Sequence, residues 1–190
     1  MRLMLLGPPG AGKGTQAKRL SQRLGVPAIS TGDIFRANTA AGTALGELVE
    51  SYTRAGKLVP DEVTNDMVRD RLAQPDTEAG FLLDGYPRTA AQVDALDGML
   101  AAQGVALDAV VQLTVNLEEL VARLLNRAQV EGREDDTEEV IRHRQDVYAS
   151  ETAPLVDLYG ARGLLVRVDG MGEVDAVTSR LADALSALEG

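Results

Sequence analysis

The stretch Gly7-Pro8-Pro9-Gly10-Ala11-Gly12-Lys13-Gly14-Thr15 decides how this chain reads. An apolar run, Leu3-Met4-Leu5-Leu6, leads into it, and a helical pattern through Ala17, Leu20 and Leu24 leads away. Strand, glycine-rich loop and helix in that order make the setting of a phosphate-binding loop. Glycines permit a tight turn through backbone conformations that other residues resist. Several N–H groups then converge on one concavity, and the helix N-terminus adds partial positive charge. Lys13 adds a full charge for β- and γ-phosphates. The general pattern puts Ser or Thr directly after the lysine to help hold Mg²⁺. Here Gly14 stands there and Thr15 follows it. A plain glycine turn would give Lys13 no structural job.

The whole chain narrows the class. Its 190 residues fit one domain with small insertions, and 45% apolar content is that of a globular protein. There is no cysteine, so neither a disulfide framework nor a cysteine zinc site is expected. Met1-Arg2 runs straight into the first strand without a signal peptide, and no apolar stretch approaches a membrane span. A soluble cytoplasmic protein is the expectation, with no membrane partner. A net charge of −10 argues against nucleic acid, which needs a basic face. A nucleotide is also anionic, so positive charge must be concentrated locally. Lysine occurs only at positions 13, 18 and 57, and arginine, the better fork for phosphate oxygens, supplies the rest.

Periodicity and breakers predict strands at 1–6, 28–30, 80–84, 109–113 and 164–168. Helices are expected at 13–24, 31–41, 43–55, 60–73, 89–102, 117–127, 137–159 and 173–188, the long one bent near Pro154. Asp136 with Glu139 reads as the cap that starts the long helix. Alternation of strand and helix means a parallel sheet covered on both faces, with ligands at the carboxyl ends of the strands. Five strands are expected, with a helical insertion at 31–59 and a short loop at 127–136, both of which should close on substrate. The core would be 1–30, 60–126 and 137–190.

Three clusters fall at those strand ends. Asp84 closes the apolar run Phe81-Leu82-Leu83, where an acid can orient Mg²⁺ through water. It could equally cap a turn. Gly85-Tyr86-Pro87-Arg88 presents an arginine on a proline-fixed loop, suited to a phosphate. Thr31-Gly32-Asp33 with Arg36 is by itself an ordinary helix start, capped by Thr31 or Asp33.

Together these residues resemble the adenylate kinases of the nucleoside monophosphate kinase family, over the full length and in order. The likeness is carried by Gly7 to Thr15, by Thr31-Gly32-Asp33 with Arg36, by Gly56-Lys57-Leu58-Val59, and by Phe81 to Thr89 with Gln92. The family has a glycine after the lysine, which accounts for Gly14. The resemblance implies a P-loop α/β fold and phosphoryl transfer from Mg·ATP to AMP, giving two ADP. Gly10, Ala11, Gly12, Lys13, Gly14 and Thr15 would wrap the ATP phosphates, with Arg127 reaching them and Gly172 near the ATP base. Thr31, Arg36, Lys57, Leu58, Val59, Gly85, Tyr86, Pro87, Arg88 and Gln92 would hold AMP, joined by Arg133 and Arg144. Lys13, Arg88, Arg123, Arg133 and Arg144 would carry catalysis, with Asp84 on the magnesium.

The residues also allow plainer roles. Thr89-Ala90-Ala91-Gln92 fits a capping box, so Gln92 has a structural alternative to reading adenine. Arg142 and Arg144 are about 200° apart on their helix. Arg142, with Glu138 four residues earlier, suits a surface pair, which leaves Arg144 for the site. Only about ten residues separate Arg127 from the helix at 137, so the lid is of the short type, without a zinc-bearing β unit. A monomer is expected. A uridylate/cytidylate kinase and a slow nucleotide switch are the competing functions.

Overall fold

The computed structural model describes residues 1–116, 120, 123–124 and 137–188. Five strands form one sheet: β1 (Arg2–Leu6), β2 (Ala28–Ser30), β3 (Phe81–Asp84), β4 (Ala109–Thr114) and β5 (Leu165–Asp169). Their order is β2-β3-β1-β4-β5, and every neighbouring pair is parallel. The expected α/β architecture is therefore the one observed. The register aligns the functional ends: Leu5 pairs with Asp84, Asp84 with Ser30, and Leu6 with Gln112.

Helices α1 (Lys13–Leu24), α2 (Thr31–Ala40), α3 (Ala44–Arg54), α4 (Asp61–Leu72), α5 (Ala90–Ala102), α6 (Glu138–Val147), α7 (Leu155–Ala161) and α8 (Val174–Ser186) surround it. Side chains alternate across each strand, so successive residues of β1 feed opposite layers. Leu3 and Leu5 pack with Leu20 of α1 and Leu181 of α8. Met4 and Leu6 pack with Val68 of α4, Leu96 of α5 and Tyr159 of α7. Burial on both faces explains why Leu3–Leu6 of β1 and Phe81–Leu83 of β3 read as continuous apolar runs. β5 lies at one edge and carries the exposed Arg167, a charge that discourages further pairing. None of the described helices is long and apolar enough to cross a membrane.

Residues 31–59 leave the sheet as a helix pair with a small core of their own, Phe35, Val49 and Val59. The pair is tight at Gly46, where an added Cβ would overlap the Asn38 carbonyl. Two helix starts differ from the sequence expectation. Ser30, not Thr31 or Asp33, caps α2, its hydroxyl accepting from Asp33 N at 3.3 Å. Thr137 caps α6, its hydroxyl accepting from Val140 N at 3.3 Å. Each cap is the residue still in extended conformation, and Glu138 and Glu139 then complement the helix dipole.

The long helix expected over 137–159 is also divided. Tyr148–Thr152 form a π turn, closed by Ala153 N donating to the Tyr148 carbonyl at 2.8 Å, before Pro154 opens α7. Proline lacks an N–H and crowds the carbonyl four residues back. A widened turn just ahead of it relieves that crowding.

The Tyr159 hydroxyl is buried without a partner among the described residues, and burial pushes its phenol pKa up, with Asp97 adding to the rise. Tyr159→Phe removes that hydroxyl and keeps the ring. Urea unfolding at neutral pH should show stability unchanged or raised by up to ~1 kcal/mol. The unfolded chain releases this proton first, so the parent loses stability as pH climbs past about 10. The variant should lose less over that range. A clear loss at neutral pH would reveal a partner for the hydroxyl.

Candidate active site

The loop after β1 turns through Gly10 and Gly12 at φ 87° and 84°, a left-handed region natural to glycine. Ala11 N donates to the Pro8 carbonyl at 3.1 Å, closing the turn. α1 begins at Lys13 with no acid in its first turn, so its N-terminus stays attractive to anions. Lys13 folds back across the loop, Nζ donating to the carbonyls of Gly7 at 2.6 Å and Pro8 at 3.0 Å. Gly14 and Thr15 are exposed on the first turn, and Ala11 is buried.

Asp84 stands beside this loop. Its carboxylate lies 3.5 Å from where a Cβ on Gly14 would be. It is only 8% exposed, yet it accepts no hydrogen bond among the described residues. Next to it, the Gly85 carbonyl accepts from Thr31 Oγ1 at 2.9 Å and from Arg88 Nε at 2.8 Å. Loss of hydration lowers the Arg88 guanidinium below its ordinary pKa; Asp84 opposes this, while Arg144 and Arg36 add to it. Arginine stays charged regardless, so Arg88 is a poorly hydrated cation among cations.

Tyr86 and Pro87, joined by a cis peptide, are buried beneath this loop. The Tyr86 hydroxyl donates to Asn65 Oδ1 at 2.7 Å, and burial, aided by Asp61, raises its phenol pKa. Gln92 is 2% exposed. Thr89 caps α5 by accepting from Gln92 N at 3.2 Å, but the Gln92 side chain does not complete the box. Its Oε1 accepts from Arg88 N at 2.7 Å and its Nε2 donates to Asp61 at 2.6 Å.

On the insertion, Arg36 pairs with Asp33 at 2.5 Å. Lys57 is exposed, Leu58 half-buried and Val59 buried against Phe35 and Val49. Arg144 of α6 reaches across to the Thr53 carbonyl at 3.2 Å, while Arg142 pairs with Glu138 on the outer side at 2.8 Å. On the other flank, Arg123 Nη1 donates to the Gly170 carbonyl at 3.4 Å, close to Gly172. Arg127 and Arg133, with the loop 127–136 and the expected cap Asp136, lie outside the described residues.

Three contributors carry no local sequence signal. Thr152, in the π turn, donates to the Arg88 carbonyl at 2.9 Å. Gln145 Nε2 donates to the Pro9 carbonyl at 3.0 Å. Asp61, which reads as a helix start, accepts from both Thr89 and Gln92.

The phosphate loop, Asp84 and the arginines near Arg88 lie toward the carboxyl ends of the strands, in a chain that a family comparison also places. The family model "Adenylate kinase" matches residues 5–164. The chain belongs to the adenylate kinase family. A curated adenylate kinase of Kocuria rhizophila is 64% identical over 97% of this chain and 98% of its own length. That of a Nocardioides species is 61% identical over 99% and 98%, and that of Thermobifida fusca 56% over 97% and 98%. This adenylate kinase family member also has a place suited to magnesium. Mg²⁺ keeps most of its waters and takes one or two carboxylates beside substrate phosphates. Asp84, buried at the phosphate loop and accepting no hydrogen bond among the described residues, fits that demand.

Thr152→Val keeps the shape and removes one donor from the Arg88 carbonyl. It should cost ~1 kcal/mol of stability and lower kcat several-fold. Unchanged kcat would mean that this bond does not position Arg88.

Proposed function

We propose that the chain is an ATP:AMP phosphotransferase: Mg·ATP + AMP ⇌ 2 ADP. The observation that carries the reading is the meeting of Arg36 and Arg144 with Arg88 on the Asp84–Arg88 turn, beside the phosphate loop that bears Lys13. A binding switch needs one phosphate cradle. Cations drawn from four separate segments suit two phosphate groups brought together.

ATP would lay its phosphates on Gly10 to Thr15, with Lys13 Nζ leaving its loop carbonyls for the β- and γ-oxygens. Asp84 would hold Mg²⁺ through water, and the metal would supply charge neutralisation at the phosphates being transferred. AMP would sit between the insertion and the β3 loop. Thr31, Gln92 and residues 57–59 face its nucleoside, and Arg36, Arg88 and Arg144 face its phosphate. An α-phosphate oxygen of AMP then attacks the γ-phosphorus in line. No covalent intermediate and no strong base are needed. Positioning and charge compensation at a loose transition state do the chemistry. Closure of 31–59 over AMP would keep water from the γ-phosphate. The chain would work as a monomer, because exposed large apolar side chains among the described residues are scattered: Leu48, Val174 and Leu188.

Mixing the protein with Mg·ATP and AMP, UMP or CMP in turn tests this directly. ADP formed with AMP alone is expected. Turnover with UMP or CMP would move the assignment to a pyrimidine acceptor, and silence with all three would leave a binding protein. Lys13→Ala and Arg88→Ala should fold normally and lose about 10³-fold or more in turnover. Near-parental rates in either would break the assignment of these cations.

A further inference from the structure

Sheet order places the acceptor elements, after β2 and β3, on one flank of the phosphate loop and the loops after β4 and β5 on the other. The family resemblance puts the donor base near Gly172, which lies on the β4/β5 flank. The loop Asp169–Gly172 occupies that flank. Two of its four residues are glycines, so it offers mainly backbone. A backbone reader is selective only if it is held still.

Arg180, half-buried on α8, holds it. Nη1 donates to Asp169 Oδ2 at 2.6 Å, and Nη2 donates to the Met171 carbonyl. The same carboxylate accepts from Met171 N at 3.0 Å, and Gly170 N is tied to the Thr114 carbonyl at 2.8 Å. One planar guanidinium thus reaches a carboxylate and a carbonyl on both sides of the turn through two separate nitrogens, where a lysine offers a single point charge. The far side of the loop meets Arg123. Its Nη1 reaches the Gly170 carbonyl at 3.4 Å and its Nη2 lies 3.9 Å from Met171 Sδ.

We infer that Arg180 is a positioning residue for the donor base, fixing the backbone of residues 169–172 against which a purine edge is read. The inference rests on the phosphoryl-transfer reading. A half-exposed ion pair alone is worth little; the second bond, to the Met171 carbonyl, is what couples Arg180 to the loop's shape.

The test compares the parent with Arg180→Met and Arg180→Lys. Inorganic tripolyphosphate, which has the phosphates and no base, is the control ligand. Arg180→Met should raise KM for ATP about five- to tenfold, leave KM for AMP within twofold, and narrow the preference for ATP over GTP. Tripolyphosphate affinity should not change. Arg180→Lys should recover part of the loss by pairing with Asp169 alone. An unchanged KM for ATP, or equal weakening of ATP and tripolyphosphate, overturns the inference. Should the methionine variant fail to fold, the lysine variant should show the same pattern against the parent with smaller changes, and its absence overturns the inference equally. A parent that makes no ADP from ATP and AMP would defeat the reaction instead. Calorimetric binding of ATP and tripolyphosphate to parent and variants would then still decide the role of Arg180.

Discussion

The Gly85 carbonyl, turned inward, is the point on which the site depends. It accepts the Thr31 hydroxyl from the start of the insertion and Nε of Arg88 from its own loop. The residue adopts φ 79°, and a Cβ there would lie 3.0 Å from both the Arg88 guanidinium and the Thr31 hydroxyl. Only glycine turns the carbonyl this way without strain or collision. β2, β3 and Arg88 are thereby locked together. Asp84, one residue earlier, is left facing Gly14 of the phosphate loop.

That lock gathers like charges. Arg36 and Arg144 both act on Arg88, which has lost part of its hydration; Asp84 opposes them at Arg88, and Asp33 pairs with Arg36. On a chain of net charge −10 this is a deliberate local inversion. Phosphates brought to such a cluster would relieve it further, which is the field that the proposed reaction requires. The global acidity is no obstacle to nucleotide binding, because ions beyond a Debye length are screened while partly buried ones are not.

The sheet, the phosphate loop and the Asp84–Arg88 turn were legible because each is a local signal. An apolar run ended by glycines or an acid gives both the strand and its functional end. Caps were legible unevenly: Thr89 was read at its residue, the caps of α2 and α6 beside theirs. Ser30 and Thr137 compete with equally good neighbours, and backbone conformation selects between them. Gln92 shows how local reading divides. The Thr89 half of the capping box forms, but the glutamine side chain is drawn to Arg88 N and Asp61, a residue 31 positions away. Thr152 and Gln145 had no signal at all. Their partners, the Arg88 and Pro9 carbonyls, are backbone atoms 64 and 136 positions distant.

Pro154 did announce a disturbance, and its form matters more than its presence. The π turn belongs to one continuous segment, and that segment touches the insertion, the phosphate loop and the Asp84–Arg88 loop in turn. Arg144 bonds to the insertion at Thr53, Gln145 to the phosphate loop at Pro9, and Thr152 to the Asp84–Arg88 loop at Arg88. α6 and the turn after it therefore act as a common strut. Rotating α6 to change the reach of Arg144 would also drag the Gln145 bond, because adjacent residues on a helix are rigidly related. Phosphate loop, Asp84–Arg88 loop and insertion are not three independent adjustments. They are three contacts of one helical segment, whose widened turn reconciles a proline with the direction Thr152 must face.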